Sequence, residues 1–317
     1  MEERSLPARQ GVLAAARRID AWVTRTPLLP LDWQGRRLWA KAECLQQGGA
    51  FKLRGATNRL LQLTEEERGR GVVAFSSGNH ARGVAIAARR LGIAATIVMP
   101  ADAPAVKRAM TAAEGAQIIA YDRLSEDRIA IARRISDETG AIVVPSFDDI
   151  HIIEGQGTVG VEIAEQLGAE PPAVVVPCGG GGLSAGIALA LPGSRVTPVE
   201  PAGWDDMARS LERGEIVGIA PDAPPTRCDA LQTPLVSPLT YGVLAQRGAR
   251  GLSVTEEEVA DAMRFAFDHL RLVVEPGGSA ALAAVLAEKE DAPEGTVVVL
   301  SGGNVDPELY ASVIAGR

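Results

Sequence analysis

The chain has 317 residues, of which 46% are hydrophobic and 23% charged, and its formal net charge is −8 at pH 7. That length allows one large or two modest globular domains with sizeable cores. The acidic balance and the lack of a basic block argue against nucleic acid or an anionic membrane as a partner. No apolar run of about 18 residues occurs, so no membrane-spanning helix is expected.

The cysteines and the N-terminus predict a cytoplasmic protein. Cys44, Cys178 and Cys228 lack the spacing of a metal site, and three thiols cannot all pair within one chain. Residues 1–10 are charged and contain no apolar segment of the kind that a signal peptide requires. A reduced cytosolic setting is consistent with this cysteine usage.

Short apolar strands alternate with amphipathic helices along the chain. Helices are expected over residues 10–22, 80–91, 104–113, 125–140, 155–167, 183–191, 255–270 and 277–289. Strands are expected over residues 37–43, 72–75, 95–99, 117–120, 142–144, 173–177, 195–200 and 296–300. This alternation predicts parallel sheets with helices on both faces. We predict a small α/β domain over residues 71–148 and a large domain built from residues 1–70 and 149–317.

A lysine in apolar company is the first candidate for covalent chemistry. Lys52 lies between Phe51 and Leu53. Burial disfavours the ammonium form, so such an amine loses its proton more easily. A neutral amine is the nucleophile that forms a Schiff base with an aldehyde cofactor such as pyridoxal phosphate. A surface lysine with its stem on apolar neighbours is the alternative that this stretch leaves open.

Four consecutive glycines, Gly179–Gly182, lie between a buried strand and a helix. Without side chains, their N–H groups can converge on an anion, and the helix N-terminus adds partial positive charge. The lysine of a Walker loop and the acidic residue of a dinucleotide fingerprint are both missing from the required positions. The pattern favours a compact monophosphate over ATP or NAD, and a plain strand–helix turn is the alternative.

Three further strand ends carry polar groups. Residues 76–83 offer hydroxyls, an amide and main-chain donors that suit a small carboxylate, with a simple helix cap as the alternative. Residues 301–304 offer a hydroxyl that could face a ring nitrogen, or form only a turn. Residues 200–206 offer oxygen ligands that suit Mg²⁺ or Ca²⁺, or form only an acidic helix start.

Together these stretches resemble the fold type II pyridoxal-phosphate enzymes, in particular their serine/threonine dehydratase and serine racemase branch. The motifs that appear in the family's order and spacing are Phe51–Gly55, Ser76–His80, Gly179–Leu183, Glu275–Gly278 and Ser301–Asn304. The resemblance covers nearly the whole chain. It implies a two-domain, tryptophan synthase beta-like α/β fold with parallel-rich twisted sheets flanked by helices. It also implies a homodimer without the C-terminal regulatory domain of allosteric threonine dehydratases.

The resemblance implies a pyridoxal phosphate site in which Phe51 and Lys52 bind the cofactor. Lys52 would form the Schiff base and move the substrate α-proton. Gly179–Gly182 would hold the cofactor phosphate, Asn79 would hydrogen-bond the phenolic oxygen of the pyridine ring, and Ser301 would face the ring nitrogen. A serine, unlike a carboxylate, cannot strongly stabilise a pyridinium. Loss of a β-hydroxyl is then favoured over transamination.

The resemblance also implies a substrate site. Ser76, Asn79 and His80 match the loop that grips the substrate carboxylate, and Ser77 matches a hydroxyl that acts on the opposite ring face in racemases. Arg128 aligns with an arginine near the active site of serine racemases that ordinary threonine dehydratases often lack. A guanidinium can bind a second carboxylate through two hydrogen bonds, which raises 3-hydroxyaspartate as a substrate. The alternative is an arginine on a helix surface.

By the same resemblance, Glu200, the main-chain carbonyl of Trp204 and Asp206 match a divalent-cation site, with Mg²⁺ or Ca²⁺ as a structural or activating ion. The leading interpretation is a dehydratase (ammonia-lyase) that eliminates water from threonine or serine to give a 2-oxo acid and ammonia. The alternatives are a 3-hydroxyaspartate ammonia-lyase, a serine racemase and, more distantly, a non-enzymatic phosphate-ligand binding module. Residues 224–232 follow the family's substrate-pocket stretch only loosely, so the resemblance leaves the small amino-acid substrate open.

Overall fold

The computed structural model describes residues 6–76, 78–103 and 105–316. Its helices are α1 (Arg9–Ile19), α2 (Lys52–Leu61), α3 (Glu65–Arg70), α4 (Asn79–Leu91), α5 (Ala105–Ala112), α6 (Arg128–Thr139), α7 (Ile150–Leu167), α8 (Gly182–Ala190), α9 (Asp206–Arg213), α10 (Pro238–Gln246), α11 (Glu256–Phe265), α12 (Pro276–Leu286) and α13 (Pro307–Ile314). Its strands are β1 (Leu28–Trp33), β2 (Arg36–Lys41), β3 (Val72–Phe75), β4 (Ala95–Pro100), β5 (Gln117–Tyr121), β6 (Ile142–Val143), β7 (Ala173–Pro177), β8 (Arg195–Pro201), β9 (Leu252–Val254) and β10 (Val297–Val299).

The larger sheet has six strands in the order β1-β2-β10-β7-β8-β9. Only the β1–β2 hairpin is antiparallel, and the other neighbours run parallel. Its central strands are apolar and buried on both faces, as is typical of parallel sheets covered by helices. Val174 and Val176 belong to one hydrophobic cluster and Val175 to another, because successive side chains point to opposite faces.

The smaller sheet has four parallel strands in the order β5-β4-β3-β6. Residues 72–143 supply all of its strands, and they fall inside the small domain predicted over residues 71–148. The predicted α/β architecture with mostly parallel sheets flanked by helices is confirmed. The division into two domains at those boundaries stays a prediction.

Main-chain hydrogen bonds dock the start of α2 against the loop that follows β10. The Phe51 N–H donates to the Ser301 carbonyl at 3.1 Å, and the Gly303 N–H donates to the Gly49 carbonyl at 2.8 Å. An antiparallel bridge between Ala50 and Gly302 lies between them. The first and last of the sequence motifs are therefore neighbours in the fold.

Some expected boundaries differ from the structure. The helix predicted from Ser125 begins at Arg128, because Asp127 is the N-cap and accepts a hydrogen bond from the Ile129 N–H at 2.8 Å. The Ser125 hydroxyl donates to Asp122 instead. Pro104, the predicted first residue of α5, lies outside the described residues. None of the described helices is both long and apolar enough to cross a membrane.

Candidate active site

A cleft of about 610 Å³ brings most of the predicted site residues together. That volume suits a small organic ligand. The predicted residues that line the cleft are Phe51, Lys52, Ser76, Asn79, His80, Arg128, Gly179, Gly180, Gly181, Gly182 and Ser301. The predicted metal ligands Glu200, Trp204 and Asp206 do not line it. Ser77, predicted to act in catalysis and in substrate binding, lies outside the described residues.

Lys52 is the first residue of α2, and its amine points into the cleft. Its Nζ donates to the Ser146 carbonyl at 3.0 Å and lies 5.1 Å from the centre of the Phe51 ring. Burial lowers the pKa of the Lys52 amine to about 8. A neutral amine is therefore accessible near physiological pH, which suits a nucleophile and a base.

His80 is 2% exposed, and its ring faces the protein interior. Its Nε2 donates to the Val144 carbonyl at 2.9 Å. Burial, together with the charge of Lys52, lowers the pKa of His80 to about 3. The neutral ring cannot supply a positive charge to a substrate carboxylate. The contribution left to His80 is its main-chain N–H in the first turn of α4, where helix N–H groups lack helical partners.

The loop before α4 and the first turn of that helix together form a candidate binding site for a small carboxylate. The Ser76 Oγ accepts a hydrogen bond from the Gly78 N–H at 3.2 Å, which leaves the Ser76 O–H available as a donor. The N-terminus of α4 carries partial positive charge and free N–H groups. A small carboxylate would be held there without a charged side chain.

Asn79 and Ser301 both line the cleft, but of these two side chains only that of Asn79 has hydrogen-bond partners in the described part of the chain. The Asn79 Nδ2 donates to Glu275 Oε1 at 2.5 Å, and the Asn79 Oδ1 accepts from Asn304 Nδ2 at 2.8 Å. The Ser301 side chain is only 5% exposed, yet its hydroxyl has no hydrogen-bond partner among the described residues. A hydroxyl left without a protein partner beside a polar cleft is ready to bond a ligand atom such as a ring nitrogen.

Glu275 is a site residue to which the sequence reasoning assigned no role. It is 2% exposed and lines the cleft. Burial, reinforced by the charge of Asp229, raises the pKa of the Glu275 carboxyl to about 7. The signal in the sequence was its place in the motif Glu275–Gly278, but its partner Asn79 is 196 positions away.

The glycine loop has the geometry of a phosphate cradle. A Cβ at Gly180 would lie 2.3 Å from the Phe147 ring, and Gly181 has φ +83°, which favours glycine. The loop leads directly into α8, whose first-turn N–H groups have no helical partners. These features fit a phosphate held by main-chain donors at a helix N-terminus.

Arg128 is the first residue of α6, is partly exposed and lines the cleft. Its guanidinium carbon lies 5.9 Å from the centre of the Phe75 ring. No acidic side chain of the described residues forms an ion pair with it, although Asp127 is its chain neighbour. Its five N–H donors are therefore available to a ligand carboxylate.

The predicted metal ligands lie at the end of β8 and the start of α9. The Glu200 carboxylate accepts from the Met207 N–H at 3.1 Å and the Ala208 N–H at 2.8 Å. Asp206 is fully buried, and neither of its carboxylate oxygens has a partner among the described residues. Burial raises the pKa of both carboxyls, that of Asp206 to about 7. An orphaned buried carboxylate fits a cation site.

The described residues contain no group of three or more His, Cys, Asp or Glu side chains that could hold a metal. The predicted site would therefore rest on two carboxylates and main-chain oxygen, a donor set that hard cations accept. A metal at this position stays a prediction, as do the homodimer and the cytoplasmic location.

A sequence model described as "Pyridoxal-phosphate dependent enzyme" matches residues 19–303. The chain is a fold type II pyridoxal-phosphate enzyme. L-threo-3-hydroxyaspartate ammonia-lyase of Saccharomyces cerevisiae is 40% identical to it, and the match covers 98% of both chains. Serine racemase of Schizosaccharomyces pombe is also 40% identical, again over 98% of both chains. The solved structure of a threonine deaminase from T.th. is 42% identical with a TM-score of 0.88, covering 95% of this chain and 99% of that one.

This pyridoxal-phosphate enzyme belongs to the family of serine racemases, threonine deaminases and hydroxyaspartate ammonia-lyases. The non-enzymatic binding module is thereby set aside. Similar identities to relatives with three different names do not select one substrate.

The residues of the cleft fit the cofactor. A lysine with a lowered pKa, a glycine cradle and an unpartnered serine hydroxyl line the same 610 Å³ space. These are the groups that an aldehyde, a phosphate and a ring nitrogen require. The role of each individual residue stays a proposal.

Proposed function

We propose that this enzyme is an ammonia-lyase that eliminates water from a small β-hydroxy-L-amino acid, with threonine and serine as its leading substrates. The observation that carries the proposal is the lowered pKa of the Lys52 amine in the cleft that also contains the unpartnered hydroxyl of Ser301. The products are a 2-oxo acid and ammonia.

Bound pyridoxal phosphate supplies an electron sink that weakens the bond between the substrate α-carbon and its proton. Lys52 Nζ would hold the cofactor and would accept the substrate α-proton. The Gly179–Gly182 cradle and Asn79 would orient the cofactor. The Ser301 hydroxyl would face the ring nitrogen as a neutral partner, which would favour loss of the β-hydroxyl.

The loop before α4 orients the substrate. Ser76 Oγ and the N–H groups at the start of α4 hold the α-carboxylate at the positive end of the helix dipole. His80 stays neutral and anchors this loop to Val144. Fixing the carboxylate and the amine together aligns the α-proton with Lys52, which lowers the entropic part of the barrier.

A second candidate substrate is 3-hydroxyaspartate, and the position of Arg128 favours it. Arg128 lines the cleft without an acidic partner among the described residues. A planar guanidinium there would pair with the second carboxylate of this substrate through two hydrogen bonds. Relatives of this chain are named L-threo-3-hydroxyaspartate ammonia-lyase, which agrees with this interpretation.

Serine racemisation is the remaining alternative. It requires a group on the ring face opposite Lys52, and the sequence offers Ser77 for that role. Relatives named serine racemase support keeping it as a candidate. A Ser77→Ala change would suppress racemisation more than elimination if both activities share this site.

We also propose a Mg²⁺ or Ca²⁺ ion held by Glu200, the Trp204 carbonyl and Asp206. The unpartnered Asp206 carboxylate supports it. The ion would stabilise the turn between β8 and α9 and would not touch the substrate, because these residues do not line the cleft.

The test is an assay of 2-oxo acid release from L-serine, L-threonine and both L-3-hydroxyaspartate diastereomers, with D-serine formation measured alongside and EDTA present or absent. We expect Arg128→Ala to lower kcat/KM for hydroxyaspartate by about 10-fold to 100-fold, the worth of a charged hydrogen-bonded pair. Threonine should change by less than about threefold.

Arg90→Ala is the matched control, since Arg90 lies on the exposed end of α4 away from the cleft. If Arg128→Ala lowered both rates equally, the second-carboxylate role of Arg128 would be wrong. D-serine formation that exceeded pyruvate release from L-serine would contradict the lyase proposal.

A further inference from the structure

Three side chains outside the proposed chemistry determine how the amide of Asn79 is turned. Arg82, Asn304, Asn79 and Glu275 form a continuous series of hydrogen bonds from α4 to the start of α12. An amide oxygen only accepts hydrogen bonds and an amide nitrogen only donates them, so the partners of an asparagine determine how its amide is turned.

Asn304 has only one orientation that satisfies its neighbours. Arg82 Nη1, 3.0 Å from Asn304 Oδ1, can only donate. The Gly48 carbonyl, 2.7 Å from Asn304 Nδ2, can only accept. Two partners of opposite character therefore fix the Asn304 amide.

The orientation of Asn304 then fixes that of Asn79. Because Asn304 Nδ2 is a donor, the Asn79 atom 2.8 Å away must be the oxygen. The Asn79 nitrogen consequently faces Glu275 Oε1 at 2.5 Å. An amide nitrogen carries two N–H groups, and Glu275 takes one of them.

The second N–H of Asn79 has no acceptor among the described residues, and Asn79 lines the cleft. A flipped amide would present oxygen to the cleft and would repel a phenolate. The order of donors and acceptors therefore decides whether Asn79 attracts or repels the ring oxygen of the cofactor.

We propose that Arg82, Asn304 and Glu275 are positioning residues that hold the Asn79 amide so that one N–H is free for the phenolic oxygen of pyridoxal phosphate. The inference rests on the proposed role of Asn79. It adds that this cofactor contact depends on the side chains that hold the Asn79 amide.

The decisive variant is Asn304→Asp, which replaces the donating nitrogen by an oxygen of nearly the same size. Arg82 keeps its acceptor, but the new oxygen faces the Asn79 oxygen and the Gly48 carbonyl. The Asn79 amide is then expected to turn its nitrogen towards the new carboxylate and its oxygen towards the cleft and Glu275, whose carboxyl can donate when it is protonated.

Asn58→Asp is a closely matched control. Asn58 also accepts from an arginine, with Arg18 Nη1 at 2.5 Å, and donates to a main-chain carbonyl, that of His151, at 2.6 Å. It does not line the cleft. Asn58 is fully buried and Asn304 partly buried, so the same one-atom change at Asn58 should cost at least as much stability without reaching Asn79.

The measurements are the Kd of the apoenzyme for pyridoxal phosphate, the absorbance maximum of the bound cofactor and the thermal midpoint of the apoenzyme. We expect Asn304→Asp to raise the Kd by about 10-fold to 100-fold and to shift the absorbance maximum, because a hydrogen bond to a charged oxygen is lost. Asn58→Asp should lower the thermal midpoint comparably and leave the Kd and the absorbance maximum unchanged.

A second pair of variants tests the other end of the series. Glu275→Gln keeps an acceptor oxygen for Asn79 and should retain the absorbance maximum. Glu275→Leu leaves the Asn79 amide held by Asn304 alone, so it should change the Kd and the absorbance maximum in the same direction as Asn304→Asp and by less. This pair decides the matter even if Asn304→Asp fails to fold.

Asn79→Ala distinguishes the cofactor contact of Asn79 from the positioning role of Arg82, Asn304 and Glu275. If Asn79→Ala weakens cofactor binding while Asn304→Asp and Glu275→Leu leave the Kd and the spectrum unchanged, the positioning role is wrong and the role of Asn79 stands. If Asn79→Ala itself binds the cofactor as the wild type does, the proposed role of Asn79 fails and the positioning role fails with it.

Discussion

At the scale of single residues, the cleft controls charge mainly by burial. The same low-polarity surroundings lower the pKa of Lys52 to about 8 and that of His80 to about 3. About a tenth of the Lys52 amine is then neutral at pH 7, far more than for a lysine in water. The His80 ring stays neutral over the working range and keeps its single N–H on the Val144 carbonyl. Lys52 is therefore the only one of this pair able to move protons there.

The rate at which the apoenzyme binds pyridoxal phosphate should rise with pH and level off above an inflection near 8, the pKa of Lys52. The neutral amine is the attacking form, so the rate follows its fraction. The appearance of the visible absorbance band after mixing gives this rate. His80→Gln, which keeps a donor for the Val144 carbonyl, should leave the inflection in place. A rate that kept rising to about 10.4, the pKa of a lysine in water, would contradict the lowered pKa.

Some site residues are recognisable from their sequence neighbours, whereas others depend on partners far away in the sequence. Lys52 is recognisable because its sequence neighbours are apolar. The glycine loop is recognisable because four consecutive residues without side chains leave the main-chain N–H groups exposed. The orientation of Asn79 depends on Asn304, 225 positions away, and no local pattern encodes that pairing. The role of Glu275 was missed for the same reason.

At the scale of elements, a buried ion network holds α2 in place. Arg54, the third residue of α2, is fully buried and pairs with Glu43 at 2.8 Å and with Glu162 at 2.6 Å. Lys41 pairs with Glu162 as well, at 2.5 Å. The network joins α2 to α7 and to the end of β2, so it fixes the helix that begins with Lys52. The sequence alone left Arg54 without a role.

Arg54→Met should lower the free energy of unfolding by about 3–5 kcal/mol, because it leaves Glu43 and Glu162 buried without their shared partner. Urea unfolding of the apoenzyme measures the loss. Arg25→Met is the matched control, since Arg25 pairs with Glu165 at 2.6 Å with both side chains about half exposed. That pair should contribute less than about 1 kcal/mol. Equal losses in the two variants would show that the network does not anchor α2.

The periodic helices and apolar strands were predictable as elements, whereas their ends were less so. The α6 helix begins at Arg128 because Asp127 outcompetes Ser125 as the cap, and both are acceptable cap residues by type. The strand β1 is not among the strands expected from the sequence, and its Pro30 has no N–H to donate to a sheet. β1 pairs with β2 and is itself an edge strand of the larger sheet, where a proline is tolerated.

At the scale of the whole molecule, the cleft exists because loops from both sheets converge. The loop after β3 belongs to the smaller sheet, and the loops after β7 and β10 belong to the larger one. An ion pair between Lys107 on α5 and Asp229 spans the same region. Ligands of open α/β sheets bind at the carboxyl ends of strands, which is where these loops lie. The predicted order of strands and helices was enough to expect this arrangement, but not the contacts across it.

The central claim is that Lys52 in this cleft carries a pyridoxal-phosphate-dependent elimination. The most direct test compares the wild-type enzyme with Lys52→Ala for 2-oxo acid release from L-threonine, L-serine and L-threo-3-hydroxyaspartate, with the visible absorbance of each purified protein recorded. The wild type should show a visible band and release 2-oxo acid from at least one substrate. Lys52→Ala should lose the band and at least about 10³-fold of the turnover, as expected when a nucleophile and base is removed. Turnover by Lys52→Ala at the wild-type rate, or a wild type that releases no 2-oxo acid from any of the three, would contradict the account.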